Sequence, residues 1–333
     1  GGCVCVLGVG VMRAALVALA AWPPAALGLD NGVARTPPMG FNSWNSPAMA
    51  MGVTEQTITA QADFMHGSPM RSAGYEYVNI DSGWQGGRHP NGSQYSHPVA
   101  FPHGMAWMAA YVHARGLKFG LYGSADTQDC AGPRWETKRA PQPYEASLYL
   151  EQLDASNWAG WGVDSVHYDD CGETAVDYIA RATPMRNALN RTARPILFMN
   201  EPFYLDPIED VRWQMNVADQ TWYDITNDWS GVLVNADNNE RWWRMAGCRD
   251  DGSGCYWNGA DYLEVGNGKL SPAEERSHFA IWAVAKSPLI LGAQAASCLS
   301  LLCAVLTSFF FFLVSRHGPD EDAAGAPQAR HQS

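Results

Sequence analysis

Between Leu29 and Ala293 the chain repeats one pattern: a short β-rich run, a polar loop, then an amphipathic helical stretch. The β-rich runs are residues 39–44 (MGFNSW), 75–81 (YEYVNID), 117–123 (LKFGLYG), 163–169 (VDSVHYD), 195–201 (PILFMNE), 215–220 (MNVADQ), 261–266 (DYLEVG) and 288–293 (PLILGA). Among the helical stretches, FPHGMAWMAAYVHARG comes after the second run and SPAEERSHFAIWAVAK precedes the eighth, where Ser271 and Glu274 have the spacing of a capping box. Successive strands joined through helices pair in parallel. Eight of them over about 260 residues predict an α/β fold of the (β/α)8 TIM-barrel type rather than an open sheet.

Most of these runs end in a polar or charged residue: Asn42, Asp81, Asp169, Glu201 and Gln220. The carboxyl ends of barrel strands carry the active site, so acids gathered at that end of several strands point to catalysis. The run VHYDDC is the most informative of them. Strand side chains alternate with period two, which puts Val163, Ser165, His167 and Asp169 on one face and Asp164, Val166, Tyr168 and Asp170 on the other. At most one of the two adjacent acids continues the His167 face. A carboxylate-rich barrel mouth suits glycoside hydrolysis, which needs one ionised carboxylate at the anomeric carbon and one protonated carboxyl at the leaving group. Aromatic side chains such as Trp44 and Trp84 suit the apolar face of a sugar ring, with core packing as the alternative for each.

Charge removes other classes. The chain holds 34 acids against 22 bases and carries a net charge of −12, with no basic run, so nucleic acid and anionic membrane surfaces are excluded as partners. Residues 1–28 differ in character from the rest of the chain: Met12-Arg13 leads into AALVALAAWPPAALG, the layout of a signal peptide, with Gly1 to Val11 upstream of a start methionine. Pro23 and Pro24 disfavour a spanning helix there. A secretory destination, extracellular or lysosomal/vacuolar, permits disulfides and makes Asn91-Gly92-Ser93 and Asn190-Arg191-Thr192 usable glycan acceptors. At the other end, residues 294–315 form an apolar segment long enough to span a bilayer, and residues 316–333 read as a disordered tail. A membrane becomes a partner only if that segment is an anchor.

Five ordered blocks, LDNGVARTPPMGFNSWN, YEYVNIDSGW, GLKFGLYGSADTQDCAG, WGVDSVHYDDC, and WNGADYLEVGNG with RSHFAIWAVAKSPLILG, resemble the α-galactosidases of glycoside hydrolase family 27 over residues 29–293. The resemblance implies a secreted, glycosylated, disulfide-bonded enzyme of carbohydrate metabolism that removes terminal α-linked galactose with retention. Its substrate is a carbohydrate, it needs no cofactor and no metal, and its two catalytic carboxyls lie roughly 5–5.5 Å apart. Position by position it implies Asp169 as nucleophile and Asp224 as acid/base, with Asp219 and Asp228 within a register slip of the latter. It further implies Trp44, Asp81, Tyr122, His167, Glu201, Tyr204, Gln220 and Asp261 around the sugar, Glu201 reading the 2-hydroxyl, and a Cys130–Cys171 bridge joining the third and fourth strand loops.

Departures from the family pattern qualify the sugar. Ser82 and Gly83 stand where an acid and a cysteine are usual, Gln220 replaces an arginine, His167 replaces a lysine, and NEPFY replaces a CEWG-like stretch. An isolated histidine titrates near neutrality, so activity is expected to fall as His167 loses its proton. The alternatives to galactose are N-acetylgalactosamine and arabinopyranose; the alternative to an enzyme is an inactive, truncated or membrane-tethered glycan-binding relative. Cys248 and Cys255 can close a small loop, and Cys298 and Cys303 are expected free. After Ala293 neither the family's eighth helix nor its C-terminal β domain is recognisable. The apolar segment is thus an anchor, a substitute eighth helix, or sequence from a truncated or misread gene, and the break in resemblance favours the last.

Overall fold

The computed structural model describes residues 31–46, 52–127, 129–130, 146–171, 178–201, 216–248 and 254–297. These residues carry strands β1 (Met39–Asn42), β2 (Tyr77–Ile80), β3 (Gln85–Arg88), β4 (Gln94–Ser96), β5 (Lys118–Ser124), β6 (Ser165–Asp169), β7 (Leu197–Asn200), β8 (Val217–Ala218), β9 (Gly247–Cys248), β10 (Cys255–Asn258) and β11 (Leu289–Leu291). The helices are α1 (Glu55–Gly67), α2 (Gly104–His113), α3 (Glu151–Trp161), α4 (Tyr178–Arg191), α5 (Trp229–Glu240) and α6 (Pro272–Ala285). The main sheet runs β11-β1-β2-β5-β6-β7-β8-β10-β9, parallel throughout except for the β9–β10 hairpin. Beyond β10 the chain returns to β11: Leu263 N–H donates to the Ile290 carbonyl at 2.8 Å and Gly292 N–H to the Leu263 carbonyl at 2.9 Å. That contact closes the sheet, so β1, β2, β5, β6, β7, β8, β10 and β11 are the staves of a (β/α)8 barrel.

Two elements differ from the sequence reading. The seventh stave is Cys255–Asn258, not residues 261–266. Asp261 has φ of 74°, in the left-handed region, which interrupts any extended run there. Tyr262, Leu263 and Val265, whose apolar character suggested a strand, are buried by closing the barrel rather than by pairing along their length. The hairpin β3–β4, inserted after β2, had no counterpart in the sequence reading.

Alternation divides each stave between two environments. Phe41, Val78, Ile80, Phe119, Leu121, Val166, Tyr168 and Phe198 belong to the large apolar cluster shared with the helices. Tyr77, Leu197, Met199, Val217, Cys255 and Trp257 form a separate cluster that plugs the barrel interior. Residues before β1 seal its base: Val33 and Ala34 pack on that plug, and Trp257 Nε1 donates to the Ala34 carbonyl at 2.7 Å. One layer up, Ser165 Oγ bonds Asn79 Oδ1 at 2.7 Å, and a Cβ on Gly120 would collide with both side chains. Above this polar layer lie Asp81, His167, Asp169 and Glu201. The interior thus grades from apolar to polar to charged toward the carboxyl ends of the strands.

Helix ends follow local chemistry. Thr54 and Thr57 form a capping box on α1, and Ser271 and Glu274 form another on α6. Cys130–Cys171 and Cys248–Cys255 are both bonded, the latter across register partners of the β9–β10 hairpin. Among the described residues no helix is long and apolar enough to cross a membrane. The leader, Cys298, Cys303 and residues 298–333 lie outside the described residues. The start of the apolar segment is within them: Ala295 is buried and its N–H donates to Gln61 Oε1 of α1 at 3.1 Å.

Candidate active site

A cavity of about 220 Å³ opens at the carboxyl ends of the staves, lined by Trp44, Asp81, Cys130, His167, Asp169, Asp170, Glu201, Gln220, Asp224 and Tyr262. A larger hollow of about 840 Å³ lies at the opposite end around residues 32–39 and Trp257, away from the charged layer.

His167 is the centre of the charged layer. Its Nδ1 lies 3.0 Å from Asp81 Oδ2, and its Nε2 lies 2.5 Å from Glu201 Oε1 and 3.5 Å from Asp219 Oδ2. Burial alone would disfavour the imidazolium, but Glu201 and Asp81 outweigh it and raise the imidazole's pKa well above its ordinary value. The neutral-range titration expected of an isolated histidine is therefore displaced upward. Asp81 is buried, which opposes its charge, yet His167 beside it wins and holds its pKa down. Glu201 moves the other way: burial first and the Asp169 charge second raise it well above the carboxylate range, with His167 opposing. Asn42 Nδ2 donates to Asp81 Oδ2 at 2.8 Å and lies 3.0 Å from the Tyr262 hydroxyl, which lies 3.3 Å from His167 Nδ1.

Asp169 ends β6 with its side chain on the cavity side, while Val166 and Tyr168 lie in the apolar layer. Tyr122 Oη donates to its Oδ2 at 2.6 Å, and the Asp170 N–H donates to its Oδ1 at 2.6 Å. Asp170 is held by Arg181, whose guanidinium forks onto both its oxygens at 2.6 and 2.8 Å. The Cys130–Cys171 bridge ties the same loop to the one after β5. Bidentate pairing and a crosslink together restrict the loop carrying Asp169.

Asp224 sits in the exposed loop after β8, where Gln220 Nε2 donates to its Oδ1 at 3.1 Å. The same amide donates to Asp261 Oδ2 at 3.1 Å. Asp261 does not line the cavity; it accepts from Ile225 N at 2.6 Å and Tyr262 N at 2.5 Å, and so braces the Asp224 loop. Asp228 caps α5, accepting from Gly231 N at 2.9 Å, which gives it a structural use away from the cavity. Glu264, whose oxygens accept from Asn45 at 2.6 Å and Asn267 at 2.5 Å, joins the loops after β10 and β1; burial pushes its carboxyl up to about 7.

Of the residues expected around the sugar, Trp44, Asp81, His167, Glu201 and Gln220 line the cavity together with Asp169 and Asp224. Tyr122 stands behind Asp169 and His167, bonding the first and meeting the second edge-on at 5.5 Å, Asp261 stands behind Gln220, and Tyr204 lies outside the described residues. Trp84 is no platform: it is fully buried, its Nε1 donates to the Tyr122 carbonyl at 3.0 Å, and its ring meets Trp161 edge-on at 5.9 Å. The sequence reading passed over Asn42 as more than a strand end, over Tyr262 as a residue lining the cavity, and over Asp219 as a buried acid behind His167. Strand parity places Asp219 on the Val217 side, but a stave only two residues long, Val217–Ala218, gives parity little to work with.

The family described as Alpha galactosidase A (Melibiase_2) matches residues 36–306, reaching past Ala293, where the motifs alone stopped. An alpha-galactosidase of Oryza sativa subsp. japonica is 37% identical over 80% of this chain, which spans 60% of that relative's length. Alpha-galactosidase I of Mortierella vinacea superposes with a TM-score of 0.66 at 31% identity, covering 80% of this chain and 68% of that one. The Saccharomyces cerevisiae alpha-galactosidase with raffinose does so at 0.66 and 30% identity, covering 81% and 63%.

Proposed function

The chain belongs to the alpha galactosidase A family, and from that premise we propose that it hydrolyses terminal α-galactosides with retention of configuration. One observation carries the proposal: Asp169 and Asp224 line the same sugar-sized cavity, with His167 held between Asp81 and Glu201 beside them.

In the proposed reaction Asp169 attacks the anomeric carbon while Asp224 protonates the departing glycosidic oxygen. The bond to the leaving group breaks as the bond to Asp169 forms, giving a glycosyl ester. Asp224, now ionised, takes a proton from water, which attacks the same carbon and frees Asp169. Asp224's exposed loop suits a group that meets solvent in the second step, and the fixed loop of Asp169 suits a nucleophile that must not wander.

Asp81, charged against His167, is positioned to accept from ring hydroxyls, and Glu201 to read the 2-hydroxyl. Gln220 Oε1 is buried and accepts no hydrogen bond, so a sugar hydroxyl can donate to it. Two disulfides fit an oxidising, secretory destination.

Hydrolysis of a nitrophenyl α-galactoside by the purified chain tests the reading. The expected result is turnover that falls at least about 10³-fold in Asp169→Asn. Release no greater than that of the variant would leave only a glycan-binding role.

A further inference from the structure

Beside the cavity, His167 Nε2, Glu201 Oε1 and Asp219 Oδ2 lie within 4.8 Å of one another. Asp219 is 2% exposed, and its Oδ2 accepts no hydrogen bond. A buried carboxylate oxygen without a donor is costly. The Tyr262 hydroxyl serves Asp219, but the imidazole, 2.5 Å from Glu201, stands 3.5 Å from Asp219 Oδ2 and leaves that oxygen without a donor. We infer that a zinc-class divalent cation binds at His167 Nε2, Glu201 Oε1 and Asp219 Oδ2, bordering the cavity that His167 and Glu201 line, as a competitor of the sugar rather than a cofactor. Its competitive character rests on the proposed function; the site itself does not.

The geometry supports this in three ways. Bonds of about 2.0–2.2 Å from zinc to nitrogen and carboxylate oxygen set ligand atoms roughly 3.3 Å apart around a tetrahedron. The His167–Asp219 pair, at 3.5 Å, is already near that spacing, Glu201 must withdraw from His167 by about 1 Å, and no two of the three atoms are more than 4.8 Å apart. Next, Asp81 on Nδ1 orients the ring so that Nε2 faces the two acids, the carboxylate–histidine–metal relay that fixes metal-bound imidazoles. Finally, His167 and Glu201 line the cavity, so a fourth ligand such as water would reach the ion from that side. One imidazole nitrogen with two carboxylates suits zinc or manganese, whereas magnesium asks for an octahedron of oxygens.

The test is a calorimetric titration of the chelator-treated full chain with zinc chloride. One zinc per chain is expected, with affinity at least about tenfold weaker in both Asp219→Asn and His167→Gln. No binding, or affinity unchanged in both variants, would overturn the site. Should either variant fail to fold, wild-type protein with cobalt(II) decides: intense visible bands of a four-coordinate ion support the site, and the weak spectrum of hexa-aqua cobalt overturns it. Galactose is expected to weaken zinc binding; a zinc affinity indifferent to saturating galactose overturns the competition. Zinc binding lost in Asp219→Asn without any galactoside hydrolysis by the metal-free chain defeats the proposed function alone; hydrolysis without zinc binding defeats this inference alone.

Discussion

At His167 three carboxylates converge on one imidazole, an arrangement suited to a cationic side chain at the position where the family resemblance implies a lysine. Asp81 and Glu201 each take one ring nitrogen, and their charges raise the imidazole's pKa well above its ordinary value against the opposing effect of burial. The catalytic roles proposed for Asp169 and Asp224 separate experimentally. Asp224→Asn removes acid assistance to the leaving group, so hydrolysis of an alkyl α-galactoside is expected to fall about 10²–10⁴-fold, while a dinitrophenyl galactoside, whose leaving group needs no proton, loses far less in bond cleavage. Equal losses on both substrates would assign Asp224 another task. Parity along VDSVHYD made the orientation of Asp169 readable without coordinates, because a five-residue stave fixes alternate faces. The role of Trp84 was not readable, since residue type alone cannot tell a buried indole from a sugar platform.

The loops after β8 and β10 are braced by backbone contacts that side-chain patterns do not reveal. A Cβ on Gly259 would lie 2.1 Å from the Asp219 carbonyl oxygen and 2.6 Å from that of Ala218. Trp282 Nε1 of α6 holds the Asp261 carbonyl at 2.7 Å in the same turn. Gly259→Ala is therefore expected to destabilise the fold by about 1–3 kcal/mol and to lower activity, measured by thermal melting and turnover; an unchanged melt would contradict the close approach. This tight turn is also why the seventh stave was misread from sequence: the apolar run after Asp261 owes its burial to barrel closure and the site, not to strand pairing. Glu264 adds a pH dependence. Its folded pKa of about 7 exceeds its ordinary 4.5, so its protonated form favours the native state. That contribution is fully present below about 4.5 and is lost as pH rises through about 7, at most about 3 kcal/mol. Wild type is expected to lose more melting temperature between pH 5 and pH 8 than Glu264→Gln; parallel slopes would show that Glu264 titrates as an ordinary surface acid.

Across the barrel the interior grades from the Trp257 and Tyr77 plug through the Asn79–Ser165 pair to the acids at the mouth. The recurrence of strand and helix made this architecture legible, because parallel staves buried on both faces leave a strong periodic signal. The inserted hairpin β3–β4 left no such signal, being short and glycine-rich at Gly86 and Gly87. The most direct trial of the account is covalent capture. In a 2-deoxy-2-fluoro-α-galactosyl fluoride the ring fluorine slows both steps through their oxocarbenium-like transition states, while the fluoride leaving group speeds only formation of the ester, which favours its accumulation for peptide mass spectrometry. The account predicts one fluorogalactosyl group per chain, attached to Asp169. A label on another residue, or turnover with no label at all, would contradict it.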